Sequence, residues 1–179
     1  MLHNTDQKFG VVSRANHWMS AVIFISLIAI GLFMTELDKG ETRSTLYGLH
    51  KSLGVGIFLL VILRLIWLKI SPNPLSLSDS ELEQKMANIA KTILYLGMIL
   101  LPLSGWIMSN SGGHSVNFFQ LFSLPMIMDE NEMVHEIAEE VHELLANLMM
   151  VVIALHVLAA LKHHFIDKNA TLMRMLGKD

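Results

Sequence analysis

The chain has no cysteine among its 179 residues. That excludes disulfides, thiolate metal sites, iron–sulfur clusters and any group attached through C-x-x-C-H. Charge is scarce too. Only 16% of residues are charged against 53% hydrophobic, where a soluble domain carries about 25% charged. The deficit points to lipid. A net charge of -3 provides no basic face for nucleic acid. His135-Glu136 fails to complete a zinc-protease motif, because Glu139 stands where the second histidine must be. There is no Ser-His-Asp cluster, no phosphate-binding glycine loop, no repeat and no low-complexity segment. The length suits one compact domain over 1–179.

What the chain does have is four long apolar stretches: Trp18 to Met34, Leu46 to Leu68 (interrupted by Lys51 and Arg64), Thr92 to Ser111, and Leu144 to Leu161. Each approaches the roughly 20 residues a spanning helix needs. They predict an all-α integral membrane four-helix bundle, with helices at about 15–35, 45–69, 86–110 and 133–166. Lys8 and Arg14 before the first stretch resemble a signal peptide, but no small-x-small cleavage site follows, so a retained anchor is expected. Ser71-Pro72-Asn73-Pro74 stops the second helix. Pro102 inside the third predicts a kink. The loop after it holds Phe118, Phe119, Phe122 and Leu124, apolar enough to lie on the membrane surface.

Lysine and arginine set the orientation. Lys8, Arg14, Lys69, Lys85, Lys162, Lys168, Arg174 and Lys178 fall on one side. On the other side the loop from Gly112 to Val141 has none, and the first loop holds Lys39 and Arg43 among three acids. Both termini are therefore expected in the cytoplasm. Trp18 and Trp67 then fall at the inner interface and Trp106 at the outer, as in an aromatic belt.

Four histidines lie in or beside these stretches. His142 and His156 are fourteen residues apart, about four turns and ~21 Å along one helix face. His17 opens the first helix near the inner side, and His50 opens the second near the outer side. Two depths result, His17 with His156 and His50 with His142. Paired neutral imidazoles from different helices are how a bundle holds a metal, and haem iron is the metal expected. Two axial imidazoles leave no position for oxygen, so such an iron carries electrons. A transporter would instead gather its polar groups at the midplane, which is apolar here. His135, flanked by Glu132 and Glu136, is expected in water. Met149 and Met150, between the two depths, are expected to pack rather than ligate.

Several runs carry a family likeness: His142-Glu143-Leu144-Leu145-Ala146-Asn147 continuing to Ala154-Leu155-His156, then Ala159 to Phe165 with His163-His164. The tail from Asp167 to Met175, Asn16-His17-Trp18, and Leu49-His50-Lys51-Ser52-Leu53-Gly54 add to it. Over nearly its whole length the chain resembles the bacterial (prokaryotic) cytochrome b561 family, membrane proteins of four helices with two haems b. The resemblance implies ligation by His17, His50, His142 and His156, in the same pairs that depth selects. It implies location in the bacterial inner membrane and electron exchange with quinone, such as ubiquinone. One branch oxidises superoxide with ubiquinone as acceptor. In that branch the position matching His163 lies at the quinone site.

An oxidoreductase with an unidentified electron donor is thus expected. The alternative is the haem b subunit of a larger dehydrogenase or hydrogenase, with partner subunits. Arg14 and Arg64 for the inner haem, and Lys51 for the outer, are candidate propionate partners. The two arginines serve equally well as positive-inside anchors, and Lys51 can snorkel to the interface.

Overall fold

The computed structural model describes residues 1–78 and 80–178. It contains four long helices, α1 (Val11–Glu36), α2 (Glu41–Ile70), α3 (Glu81–Ser111) and α4 (Glu132–Phe165), and a short fifth, α5 (Thr171–Leu176). All four long helices are long and apolar enough to cross a membrane. Their outward faces carry large apolar side chains, among them Leu32, Leu63, Leu144 and Leu155. In water such a surface would aggregate; in a bilayer it is the solvated face.

Three helices begin about a turn earlier than hydropathy suggests, at Val11, Glu41 and Glu81. Hydropathy sees only the part of a helix in hydrocarbon, whereas backbone hydrogen bonding continues into polar residues where a cap allows it. Ser80 accepts from the Glu83 N–H at 3.4 Å and starts α3. Asn131 accepts from Val134 N–H at 3.1 Å and starts α4. α3 continues as helix through Pro102 to Ser111.

α1 packs on α2, α2 on α3, and α3 on α4. The core gathers Phe24, Leu27, Ile57, Leu101 and Met149 midway along the bundle. Met149 is 1% exposed, and its sulfur fills the place where a Cβ on Gly97 would sit. α3 and α4 therefore meet closely, and Met149 is core packing. Gly97→Leu overfills this contact. It is expected to destabilise the detergent-solubilised protein by about 1–3 kcal/mol, read by thermal unfolding, with Met149→Ala in the same chain restoring part of the loss.

Both termini lie at one end of the bundle, called here the terminal end. Trp18 donates its indole N–H to the Met175 carbonyl at 3.0 Å, and Arg174 donates to the Leu75 carbonyl at 2.9 Å. Asn4 N–H donates to the Ser71 hydroxyl at 2.8 Å. The N-terminus, the α2–α3 link and the tail are thereby tied together. Trp67 joins them, donating to Ser13 at 3.0 Å and stacking on His3.

At the opposite, loop end the α3–α4 connection folds back. It contains a two-stranded antiparallel hairpin, β1 (Asn117–Phe118) with β2 (Phe122–Ser123). The Leu121 N–H closes its turn onto the Phe118 carbonyl at 2.8 Å. Ser52 of α2 lies 2.9 Å from the Asn117 carbonyl and accepts from Phe119 N–H at 3.1 Å, fixing the hairpin to the bundle. Fully buried Asn110 accepts from Ile127 N–H and donates to the His114 carbonyl. His135 is not free in water. Its Nδ1–H donates to the Met108 carbonyl at 2.8 Å, satisfying one of the acceptors left open at the end of α3.

Candidate functional site: two facing imidazole pairs

The histidines meet in the two pairs that depth selects. His17 of α1 faces His156 of α4, with ring centroids 6.3 Å apart and planes at 61°. His50 of α2 faces His142 of α4, also at 6.3 Å, with planes at 70°. A metal bonded to one nitrogen of each ring at about 2 Å needs those nitrogens about 4 Å apart. Centroids lie farther back on each ring, so a separation near 6 Å is the spacing that shared ligation requires. Direct hydrogen bonding between the rings would draw the centroids closer.

The second nitrogen of His142 defines its tautomer. Nδ1 lies 3.1 Å from the Leu101 carbonyl and 3.0 Å from the Ser104 hydroxyl oxygen. Ser104 in turn donates to Leu101 O at 2.9 Å. A carbonyl only accepts, so the proton is on Nδ1 and the Nε2 lone pair is free for a metal. His50 is arranged similarly against α1. The Leu27 carbonyl acts on it, but Nδ1 has no partner at hydrogen-bonding geometry. Four residues beyond each leucine is a glycine, Gly31 and Gly105. A Cβ on either would come within 3.3 Å of Cε1 of His50 or His142 respectively. Two Leu-x-x-x-Gly steps on separate helices thus make room for the two imidazoles at the loop end. Buried rings with free lone pairs, cradled by missing side chains, suit a flat iron macrocycle.

The candidate cations are distributed unevenly. Arg64 acts electrostatically on both His17 and His156 and lies over the Tyr95 ring at 5.4 Å. Arg14 packs its guanidinium against Gly177, one turn before His17. Lys51 Nζ is 3.5 Å from the Ser115 carbonyl. It lines a cleft of about 470 Å³ at the loop end with Lys39, Arg43, Tyr47 and His114. Apart from Lys51, none of that lining stands out in the sequence, because its cations are mixed with Glu36, Asp38 and Glu41.

His163 belongs to a different cluster. Its Nδ1 is 2.7 Å from Asp167, and Lys162 bonds both Asp167 and Glu83 at 2.8 Å. Glu83, His163 and Asp167 bring ligand atoms within 4.8 Å of one another, but the Lys162 ammonium already supplies the cation. Hydrogen bonding from Lys162 holds the Asp167 carboxyl below the ordinary aspartate range. A carboxylate held low stabilises the fold while ionised. That contribution is complete above about pH 4, the unfolded value, and is lost as pH falls through the lower folded value. Amide protection across α5, corrected for intrinsic exchange rates, is expected to fall below pH 4. Asp167→Asn should show the same loss at neutral pH.

Among the described residues, four spanning helices bring buried histidines into two facing pairs, an arrangement that fits the class of b-type membrane cytochromes. The chain belongs to the prokaryotic cytochrome b561 family, whose model matches residues 8–178. It is 36% identical over 177 residues to cytochrome b561 homolog 2 of Escherichia coli (strain K12), covering 98% of this chain and 94% of the relative. To the probable superoxide oxidase CybB of Yersinia pestis it is 31% identical, covering 96% and 97%. To cytochrome b561 homolog 1 of Escherichia coli (strain K12) it is 28% identical, covering 90% and 93%. Family membership implies haem b and a role in electron transfer, and with four spanning helices makes this a multi-pass bacterial membrane protein.

Proposed function

We propose that the protein is a diheme cytochrome b of the bacterial inner membrane. His17 and His156 grip one haem at the cytoplasmic, terminal end, and His50 and His142 grip the other at the outer, loop end. The observation that carries this reading is the equal 6.3 Å spacing of two imidazole pairs contributed by three helices. Haem b, when bound, supplies a one-electron couple at each level; the chain supplies ligands, burial and orientation. Positive residues gathered at the terminal end support cytoplasmic termini.

Electrons pass singly between a donor at the outer face and the quinone pool. Clustered cations at the outer cleft favour an anionic donor. Superoxide suits that cleft in charge, and the likeness to a probable superoxide oxidase supports it. His163, half-buried beside Asp167 seven residues past His156, is proposed near the quinone. Arg64 is the best-placed propionate partner at the inner level.

The test is to reduce the purified protein with superoxide and follow haem reoxidation by a ubiquinone analogue. Reduction followed by reoxidation is expected; failure of both steps would reject the reading. Ser104→Ala should keep both haems but release the outer one up to about tenfold more readily, the scale at which groups orienting a metal ligand act, measured by haem transfer to apomyoglobin.

A further inference from the structure

The connection from α3 to α4 carries no charged residue between His114 and Asp129. Instead it exposes Phe119, Leu121, Phe122, Met126 and Ile127, with Leu121 76% exposed. Apolar side chains gathered on a surface mark contact with something apolar. The hairpin hangs against α2 along Gly48, Ser52 and Gly56, which recur every four residues on one helix face. Ser52 Oγ lies 2.9 Å from the Gly48 and Asn117 carbonyls and accepts from Phe119 N–H at 3.1 Å. A Cβ on Gly56 would lie 3.9 Å from the Phe118 ring. Gly56 is six residues past His50, about 9 Å farther from the loop end along α2. The hairpin therefore descends beside the apolar span of α2 rather than standing clear of it.

Non-helical backbone at that depth needs partners for its polar groups, and the hairpin supplies them. Leu121 N–H donates to the Phe118 carbonyl and Leu124 N–H to the Val116 carbonyl, both at 2.8 Å. Ser123 donates to the Asn117 side-chain oxygen at 2.7 Å. Trp106 of α3 donates its indole N–H to the Pro125 carbonyl at 3.2 Å, as an interfacial aromatic does. The turn itself is costly. Phe119 and Gln120 adopt φ of 44° and 60°, the left-handed region that glycine favours.

We infer that 115–128 is a re-entrant segment inserted into the leaflet at the loop end, with acyl chains covering Phe119, Leu121 and Phe122. The sequence places this loop on the membrane surface; its seat on α2 takes it below that surface. Its apolar face continues the lipid-facing surface of the spanning helices, which favours lipid over a protein partner. Burial of that face in lipid offsets the strained turn. The loop-end cleft is affected directly. His114, Ser115 and Asn117 form one wall of it, so the bilayer holds that wall in place. Neither haem nor quinone enters this reading.

The lack of cysteine makes the test clean, since a nitroxide label attaches only where a cysteine is introduced. Leu121→Cys is labelled in nanodiscs of phosphatidylethanolamine and phosphatidylglycerol. Leu63→Cys on the exposed face of α2 is the lipid control, and Asp38→Cys in the α1–α2 loop is the water control. Collisions with oxygen, which concentrates in lipid, are compared with those of a water-soluble nickel chelate. The label at 121 is expected to match Leu63, with oxygen dominant. A label that matches Asp38 overturns the inference. So does a label shielded from both, which would mean that a protein surface covers the tip. Leu121→Glu tests the hold on the cleft wall. Protection of the Leu124 amide against exchange is expected to fall at least about tenfold, with haem content unchanged. Unchanged protection overturns the role of the bilayer in fixing that wall.

Discussion

His156→Ala is expected to lower the haem content from two per chain to one and to spare the outer haem. His156 supplies half of the inner pair, and its partner His17 stands 6.3 Å away. With the imidazole gone, a buried iron would keep one ligand and face a cavity. The loop-end pair is ~21 Å away along α4 and draws its second imidazole from α2, so it has no part in the expected loss. His142→Ala is the mirror case and should remove only the outer haem. The control is His135→Ala. It lies on the same helix, seven residues before His142, but its Nδ1 serves the Met108 carbonyl. That variant should keep both haems and lose only local order at the end of α3.

The second large effect concerns the loop-end cleft lined by Lys39, Arg43 and Lys51. Lys39→Glu with Arg43→Glu reverses the charge of its mouth without touching an imidazole. Fields from clustered charge change association rates by about 10-fold to 10³-fold. Reduction by an anionic donor at low salt is therefore expected to slow at least tenfold. Added salt should accelerate the variant and slow the wild type, because screening weakens repulsion and attraction alike. Reoxidation by quinone, at the other end of the bundle, should be unchanged. Stopped-flow haem absorbance reads both phases. Arg43 also donates to the Leu37 carbonyl and lies over Tyr47, so Lys39→Glu alone provides a milder check of the same sign.

The spanning helices and the histidine pairing were legible because each has a strong one-dimensional signal. A bilayer demands long apolar runs. Rigid helices then turn sequence spacing into depth, which is how His142 and His156 announce two levels. Features that depend on loops were not legible. The hairpin at 117–123 turns through Phe119 and Gln120, both at positive φ, with no Asn-Gly or Asp-Gly to mark it. Without that hairpin, Asn117 and His114 could not be placed beside Lys39 and Arg43. The role of His135 was missed for a related reason. Flanking glutamates suggest water, whereas the open carbonyls at the end of α3 exist only once α3 and α4 are packed.

The internal likeness between Leu27-x-x-x-Gly31 and Leu101-x-x-x-Gly105 is also invisible as a repeat. The intervening residues Ile28-Ala29-Ile30 and Pro102-Leu103-Ser104 share nothing. It emerges because His50 and His142 each sit against one of these steps.

The most direct measurement is haem b per chain in the purified protein, with electron paramagnetic resonance of the oxidised form. Two haems per chain, both low-spin with two nitrogen ligands, is the predicted result. A single haem, or a high-spin iron with an open position, would contradict the pairing of His17 with His156 and His50 with His142.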